Sequence, residues 1–572
     1  MFTAVKSRAR LDWRVWTPHV AVLLLSAALG VLTTYPLVGQ IRDHLVNRVD
    51  YHDPVCFAWN NWWIYHAVVG LHSKPYFTSH LLVPFPLDLR LHTLGLFYGL
   101  VSMPLVPLLG PITVVNLQIL ATPIFNGYAT FLLTRKWAGR ADVGVVCGAA
   151  LSIVPAIAFH LGSGRPSCAA IWPVALAMLF LIRLIEQPRW QNSFALAIAL
   201  IVLLATDQQM SIFGGLLFAG YLIGLGLMRP RALFNRSLVR PGLIVLLLVA
   251  YPIRLLYVRP FLQTPGYSVP HPSEALHYSV SIGFLLGQGG LWILYGAVLP
   301  LGLVLACTLA RRDRRAILGV VCSICFVVLS LGPVVPGTNL PLPFGLLRHI
   351  GLSMFRTPYR FMIPAALAMT LALAAALGRV MARVPGARAQ RAIVVGVGLL
   401  VVADAIAHRA MYGFETRAVS IDPIYQTIAR TPGDFLVLEV PFGVRSGSDV
   451  VGPFFGDRLM LNQIVHHKRM INGYLSRVPL VALAYYRRSP AFMFLAGEKP
   501  PPGDVATDLD VRLRDLEVGF IVVHPEMLDG ARLADILALL RARADLEPVA
   551  TGTATLAFRV RRASSPAAVP VP

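Results

Sequence analysis

The chain alternates long apolar runs with short polar punctuation. A run of roughly 18 apolar residues is long enough to cross a bilayer as a helix. Runs of this kind extend from about Val20 to Leu37 and lie near 92–110, 112–134, 141–159, 168–185, 192–208, 210–228, 242–258, 291–310, 316–333, 360–378 and 392–408. Basic clusters separate many of them: Arg135, Lys136 and Arg140; Arg183 and Arg189; Arg229, Arg231, Arg236 and Arg240; Arg311, Arg312, Arg314 and Arg315; Arg379, Arg383, Arg388 and Arg391. Such clusters mark cytoplasmic loops. Putting all of them on one side requires that one run does not cross. The run at 92–110, broken by Pro104 and Pro107 and followed by Pro111, is predicted to be interfacial or re-entrant, inside a long outer loop of about 38–111. The pattern predicts a mainly α polytopic membrane protein with about eleven transmembrane helices. Lys6, Arg8, Arg10 and Arg14 precede the first run, which reads as an uncleaved signal anchor with a cytoplasmic N-terminus.

Past residue 408 the periodicity changes. Strand-like runs at Phe435 to Pro441, Phe520 to Val523 and Thr555 to Val560 mix with a helix-like run from Leu533 to Ala542. Residues 409–572 are therefore expected to form an extracytoplasmic α/β domain with a loose tail, following a transmembrane domain over 1–408.

Composition sharpens this reading. Hydrophobic residues make up 56% and charged residues 14%, against about a quarter charged in soluble domains. The net charge of +22 sits in the short loops and forms no basic stripe interleaved with aromatics, so nucleic acid is not an expected partner. Cys322 and Cys325 lie within an apolar run without acidic or histidine neighbours, which argues against a metal site. Cys56 and Cys168 both fall on the predicted outer side, where pairing is open to them.

Acidic residues are scarce, 28 in all, and this makes the polar stretch after the first run conspicuous. Asp43, Asp50, His52, Asp53 and Pro54 lead into Trp59, Trp62, Trp63 and His66, which recur at helical spacing. Asp53-Pro54 has the signature of a helix cap. The same place also suits a general base taking a proton from an acceptor hydroxyl. Asp50 with Asp53 offers carboxylate oxygens to a divalent cation such as Mg or Mn, although two acids do not select one.

Asp207, between two apolar runs, is either a solvated hairpin tip or part of a functional cavity. Outer-side cations are Arg165, Arg254, Arg259, Arg348, Arg356 and Arg360, with His160, His271 and His277. A guanidinium suits phosphate through its planar fork of donors, and it equally suits snorkelling to lipid headgroups. In the C-terminal domain Glu439, Gln463, His467 and Lys468 are candidate acceptor contacts or, alternatively, a well-bonded strand-turn segment.

Together the signal anchor, the outer loop with His52-Asp53-Pro54 before an aromatic helix, the proline-rich re-entrant stretch and the run ending at Arg135-Lys136 resemble the glycosyltransferase C (GT-C) superfamily. Within it, three segments are similar to bacterial YfhO-like multispan proteins: Asp53-Pro54 with its Trp-rich helix, Phe355 to Phe361, and the stretch from Gln463 to Arg477. The resemblance implies a polyprenyl-phosphate-linked sugar donor, an acidic base at Asp53, cations on later outer loops holding the lipid phosphate, and an envelope glycan, lipid or protein as acceptor. It places the enzyme in the bacterial cytoplasmic membrane. No clean Asp-x-Asp pair is present, which leaves no required metal cofactor. The competing readings are a lipid-linked glycan transporter and a non-catalytic envelope assembly factor.

Overall fold

A computed structural model describes residues 13–46, 52–263, 266–335, 338, 340–347, 355–447, 449–453, 458–549 and 555–561. The architecture is mainly helical. Five helices are long and apolar enough to cross a membrane: Val15–Thr34, Gln208–Met228, Pro230–Leu262, Pro358–Arg383 and Ala387–Met411. The bent pair Ala141–Ser152 and Pro155–Gly162, angled by 43°, adds a sixth if taken as one span. The expected eleven are therefore not seen as eleven long apolar rods. Several of the remaining runs form helices too short for the full span, such as Trp172–Glu186 and Val298–Leu309. Length and bends are what hydropathy runs conceal.

The core of the bundle is built by Met362–Arg383, of which 94% of the apolar window is buried. Its alanine-rich sequence explains this position, because small side chains let neighbouring helices approach closely. Gly319 and Gly302 of the adjoining helices meet the Cα atoms of Ala372 and Leu373. Pro111–Ala138, 28 residues long, carries a buried polar face of Asn116, Gln118, Thr122 and Asn126. Asn116 donates to the carbonyls of Ile41 and His44, while its Oδ1 stays buried without a partner.

Between residues 38 and 111 the helix His52–Tyr65 is followed by a two-stranded sheet (Phe77–Thr78 with Leu87–Asp88) and the short broken helices of 96–109. The helix is mostly buried, with Trp59, Trp62 and Trp63 covered by the C-terminal region. Its aromatic face thus packs against protein and does not lie open to lipid.

The C-terminal region holds a five-stranded sheet in the order Leu546–Val549, Leu556–Val560, Val518–Val523, Leu436–Val440, Arg469–Met470. The last three strands pair in parallel and the first two join antiparallel. Helices Ile424–Arg430 and Gly530–Arg541 accompany it. A short antiparallel pairing of His44–Val46 with Thr416–Ala418 ties the outer loop to the start of this region.

Candidate active site

The helix His52–Tyr65 begins with Asp53 in its first turn, and that position determines where its carboxylate points. Arg165, from the loop after Pro155–Gly162, meets it: Arg165 Nε donates to Asp53 Oδ2 at 2.6 Å, and a second guanidinium nitrogen bonds the same oxygen. The approach depends on Gly164, whose φ of +70° is left-handed and whose missing Cβ would lie 2.5 Å from Pro54 Cγ. A side chain there would push Arg165 away from Asp53. Both partners stay partly accessible, at 20% for the Asp53 side chain and 14% for Arg165. Burial pushes the Asp53 carboxyl up, but Arg165, then Arg360 and Arg445, pull harder and hold it below its ordinary value. It is therefore a carboxylate at neutral pH.

Arg360 reaches the same place from the start of the core helix. One nitrogen donates to Gln209 Oε1 at 2.6 Å, while its buried Nε has no acceptor. His160 stacks on Tyr359 with ring centroids 5.9 Å apart, and its Nδ1 is likewise unpartnered. Asp207 caps Gln208–Met228, accepting from the backbone N–H of Gln209 and Met210 at 2.8 and 3.0 Å. Burial raises its carboxyl, with Met210 and Arg360 pulling the other way. Asp207 is thus neither an exposed hairpin tip nor a free base; it positions Gln209, which holds Arg360.

Two cavities of similar size flank these groups. One, of about 400 Å³, is almost wholly apolar and reaches His160 and Tyr359 from the side of Ala387–Tyr412. The other, of about 410 Å³, is walled by Asp207, Gln209, His92, Ser476 and Arg477. His160 and Tyr359 line the first and Gln209 the second, while Asp53, Arg165 and Arg360 are in the lining of neither.

Several expected residues lie elsewhere. Arg356 donates to Glu274 Oε2 at 3.2 Å and to the Gly447 carbonyl, and lies 5.8 Å over the Tyr278 ring. It joins the C-terminal region to the helix Pro272–His277. Arg254 and Arg259 are exposed on the Pro230–Leu262 segment. His271 caps Pro272–His277, and His277 packs edge-on against Tyr278. Asp43 is exposed against His44. Asp50 and Arg348 lie outside the described residues.

The C-terminal candidates are engaged internally. Glu439 is fully buried among Tyr425, His524 and Asn462. Gln463 accepts from Trp59 Nε1 at 2.7 Å and donates to the carbonyls of His80 and Lys468. His467 packs on Trp62 and His66, and Lys468 donates to the carbonyls of Thr431 and Gly433. Gln463 and His467 fasten the domain onto the outer loop, while Glu439 and Lys468 bond within the domain. Cys56 and Cys168 are buried free thiols beside His92 and Asp207, respectively, rather than a pair.

Sequence reading passed over Arg445, noted His92 and Ser476 without giving them a role, and held Arg477 only within the polar stretch after Gln463. Their contribution depends on a chain reversal nearly 400 residues long: His92 Nδ1 and the Ser476 hydroxyl lie 3.1 Å apart, and Arg445 acts on Asp53. The scarcity of internal acids to pair with Arg445 and Arg477 was the available signal.

The expected Mg or Mn ligands were Asp50 and Asp53, of which Asp50 lies outside the described residues. No three His, Cys, Asp or Glu side chains among them are arranged to hold a metal ion, and a guanidinium already neutralises Asp53.

No protein-family description and no curated protein sequence matches the chain. Solved structures do. The arabinofuranosyltransferase AftD from mycobacteria superposes with a TM-score of 0.59 at 15% identity, over 96% of this chain and 40% of its own. The chain thus spans well under half the length of that protein. ArnT from Cupriavidus metallidurans matches with a TM-score of 0.50 at 14% identity, covering 96% of this chain and 97% of its own in the apo state. The form bound to undecaprenyl phosphate gives the same score over 97% and 99%. The chain therefore shares its fold with AftD and ArnT.

Proposed function

We propose that this chain is an inverting membrane glycosyltransferase that uses a polyprenyl-phosphate-linked sugar. The observation that carries the reading is the meeting of one ionised carboxylate, Asp53, with Arg165 and Arg360, beside two cavities lined by their neighbours His160, Tyr359 and Gln209. The shared fold, and the undecaprenyl phosphate bound to ArnT, support a lipid phosphate as the donor's carrier. The YfhO-like character rests on the motifs around Asp53, Arg356 and His467.

In the reaction the acceptor hydroxyl oxygen attacks the anomeric carbon, and the bond from that carbon to the phosphate oxygen breaks. The electron pair leaves with polyprenyl phosphate. Asp53 takes the hydroxyl proton and later returns it to water. Arg360, whose Nε awaits an acceptor, stabilises the departing phosphate charge, with His160 beside it. Arg165 fixes the Asp53 carboxylate. The acceptor is an envelope glycan, lipid or protein at the outer face of the cytoplasmic membrane.

The test is release of free polyprenyl phosphate from a panel of lipid-phosphate sugars, with the protein in lipid nanodiscs and envelope glycan extract as acceptor. Release by the wild type and its loss in Asp53→Asn are expected. Equal release by both would remove Asp53 as the base. Movement of the lipid-linked sugar across the bilayer without release would make the chain a transporter.

A further inference from the structure

The opposite end of the same helices carries a second built site. Gln208–Met228 starts at the Asp53 end and finishes 21 residues later, about 30 Å away. There a cavity of about 540 Å³ opens among the ends of five helical segments, lined by six Lys or Arg residues against Glu186 and Asp313. Positive loops alone explain a basic face. They do not explain a concave one, nor the bonding inside it.

Both acids are already used. Lys136 Nζ pairs with Glu186 at 2.5 Å, Arg379 Nε with Asp313 Oδ2 at 2.9 Å, and Arg315 lies 3.7 Å from Asp313 Oδ1. The remaining cations, Arg229, Arg312 and Arg314, have no side-chain hydrogen-bond or ion-pair partner among the described residues. The same wall holds Trp137, only 5% exposed, whose indole Nε1 is buried without an acceptor. A buried donor left unpaired is rare and calls for a missing partner. Arg229, Arg312 and Arg314 are exposed donors in the lining, so a ligand held here is an acceptor, and the cations make it an anion.

We infer that this cavity binds the phosphate headgroup of an anionic phospholipid. Phosphate supplies the acceptor oxygens that guanidinium forks and the indole N–H lack. The lipid source is favoured over a free phosphate by the surface alongside. Gln208–Met228 and Arg314–Ser330 leave Ile223, Leu227, Val321 and Ile324 between 50% and 81% exposed, an apolar face for acyl chains. Basic cavities between helices at the cytoplasmic side take such headgroups, and a headgroup with two phosphates best matches the surplus of cations. The site is independent of the proposed transfer chemistry at the other end.

Native mass spectrometry of the detergent-solubilised protein tests this with tetraoleoyl cardiolipin, phosphatidylcholine and inorganic pyrophosphate as probes. Wild type should retain cardiolipin over phosphatidylcholine. The triple variant R229Q/R312Q/R314Q should lose at least about tenfold in cardiolipin affinity, and Trp137→Phe should lose less. R388Q/R391Q, at the same end but outside the cavity lining, should bind as wild type does, and unfolding temperatures show that all variants are folded. Equal losses in the triple variant and this control would overturn the site. Displacement of cardiolipin by equimolar pyrophosphate would overturn the lipid and leave a soluble anion.

Discussion

Asp53 and Glu439 are both carboxylates withdrawn from bulk water, yet their surroundings differ in kind. Among the described residues Asp53 has a single side-chain hydrogen-bond partner, Arg165, on a loop held by one glycine, and it keeps a fifth of its side chain open. Glu439 is fully buried at the end of a parallel strand, receiving hydrogen bonds from Tyr425, Asn462 and His524 at 2.8, 3.4 and 2.9 Å. A site that must act on a ligand leaves donors such as Arg360 Nε unused, whereas a structural cluster closes its own bonds. The comparison teaches that burial of a charge does not distinguish chemistry from packing; the unspent hydrogen-bonding capacity around it does.

The sharpest way to break this contrast is to neutralise each carboxylate in turn. Asp53→Asn should lower transfer by about a hundred- to ten-thousandfold, the usual range for a positioned base, and lower the unfolding temperature less than Glu439→Gln does, because Asp53 and Arg165 both stay partly open to water. Glu439→Gln should do the reverse. It should cost about 3 kcal/mol in unfolding of the full chain, because it strips a buried histidine of its counter-charge, and leave the turnover of the folded fraction near wild type. If Glu439→Gln instead abolished turnover in a folded protein, the division between the two clusters would be wrong.

A smaller effect probes how Asp53 is held. In Gly164→Ala the added methyl would overlap Pro54 in a backbone conformation that suits glycine. Displacing Arg165 by about an ångström should cost on the order of a hundredfold in turnover, read from steady-state release of polyprenyl phosphate. Full activity in this variant would mean that the Arg165–Asp53 bond is incidental.

Much of this was legible in the sequence where a residue's local context already constrained it. Asp53-Pro54 announced both a helix start and a scarce acid, and the segment from Phe355 to Phe361 marked Arg360. The strands at 436–440, 518–523 and 556–560 fall within or beside the expected runs. What stayed hidden depends on distance. Nothing near Arg356 in the chain shows that Glu274 and Gly447 engage it, while its neighbour Arg360, four residues on, faces the carboxylate. Glu439 was a plausible acceptor contact until the sheet closed over it, and Lys468 until the carbonyls of Thr431 and Gly433 engaged its ammonium. The count of eleven spans is not reproduced by helix length and composition alone, because an apolar run records hydrophobicity but not where the helix stops or bends.

The smallest effect is a pH dependence confined to the Glu439 cluster. Burial alone would push His524 down, but hydrogen bonds to Glu439 and Glu526 outweigh it and lift the imidazole to about 9. Glu526 lies 3.4 Å from Nδ1, and the Tyr425 hydroxyl completes the ring of facing groups. An unfolded histidine titrates near 6.5. Below that pH both states carry the proton and the pair's contribution is complete. Between about 6.5 and 9 the folded state holds a proton that the unfolded state has lost, so stability falls as pH rises. From pH 7 to 9 the loss should be about 2 kcal/mol, seen as a falling unfolding temperature of the full chain in detergent. The Asp53–Arg165 pair has the opposite sign. Its depressed carboxyl contributes above the unfolded value near 4 and fails only as the solution becomes acid, so it cannot produce an alkaline loss. Glu439→Gln should therefore flatten the slope between pH 7 and 9, while Asp53→Asn should leave it intact. A wild-type protein equally stable at both pH values would mean that His524 is neutral in the fold and that the cluster is held by hydrogen bonds without charge.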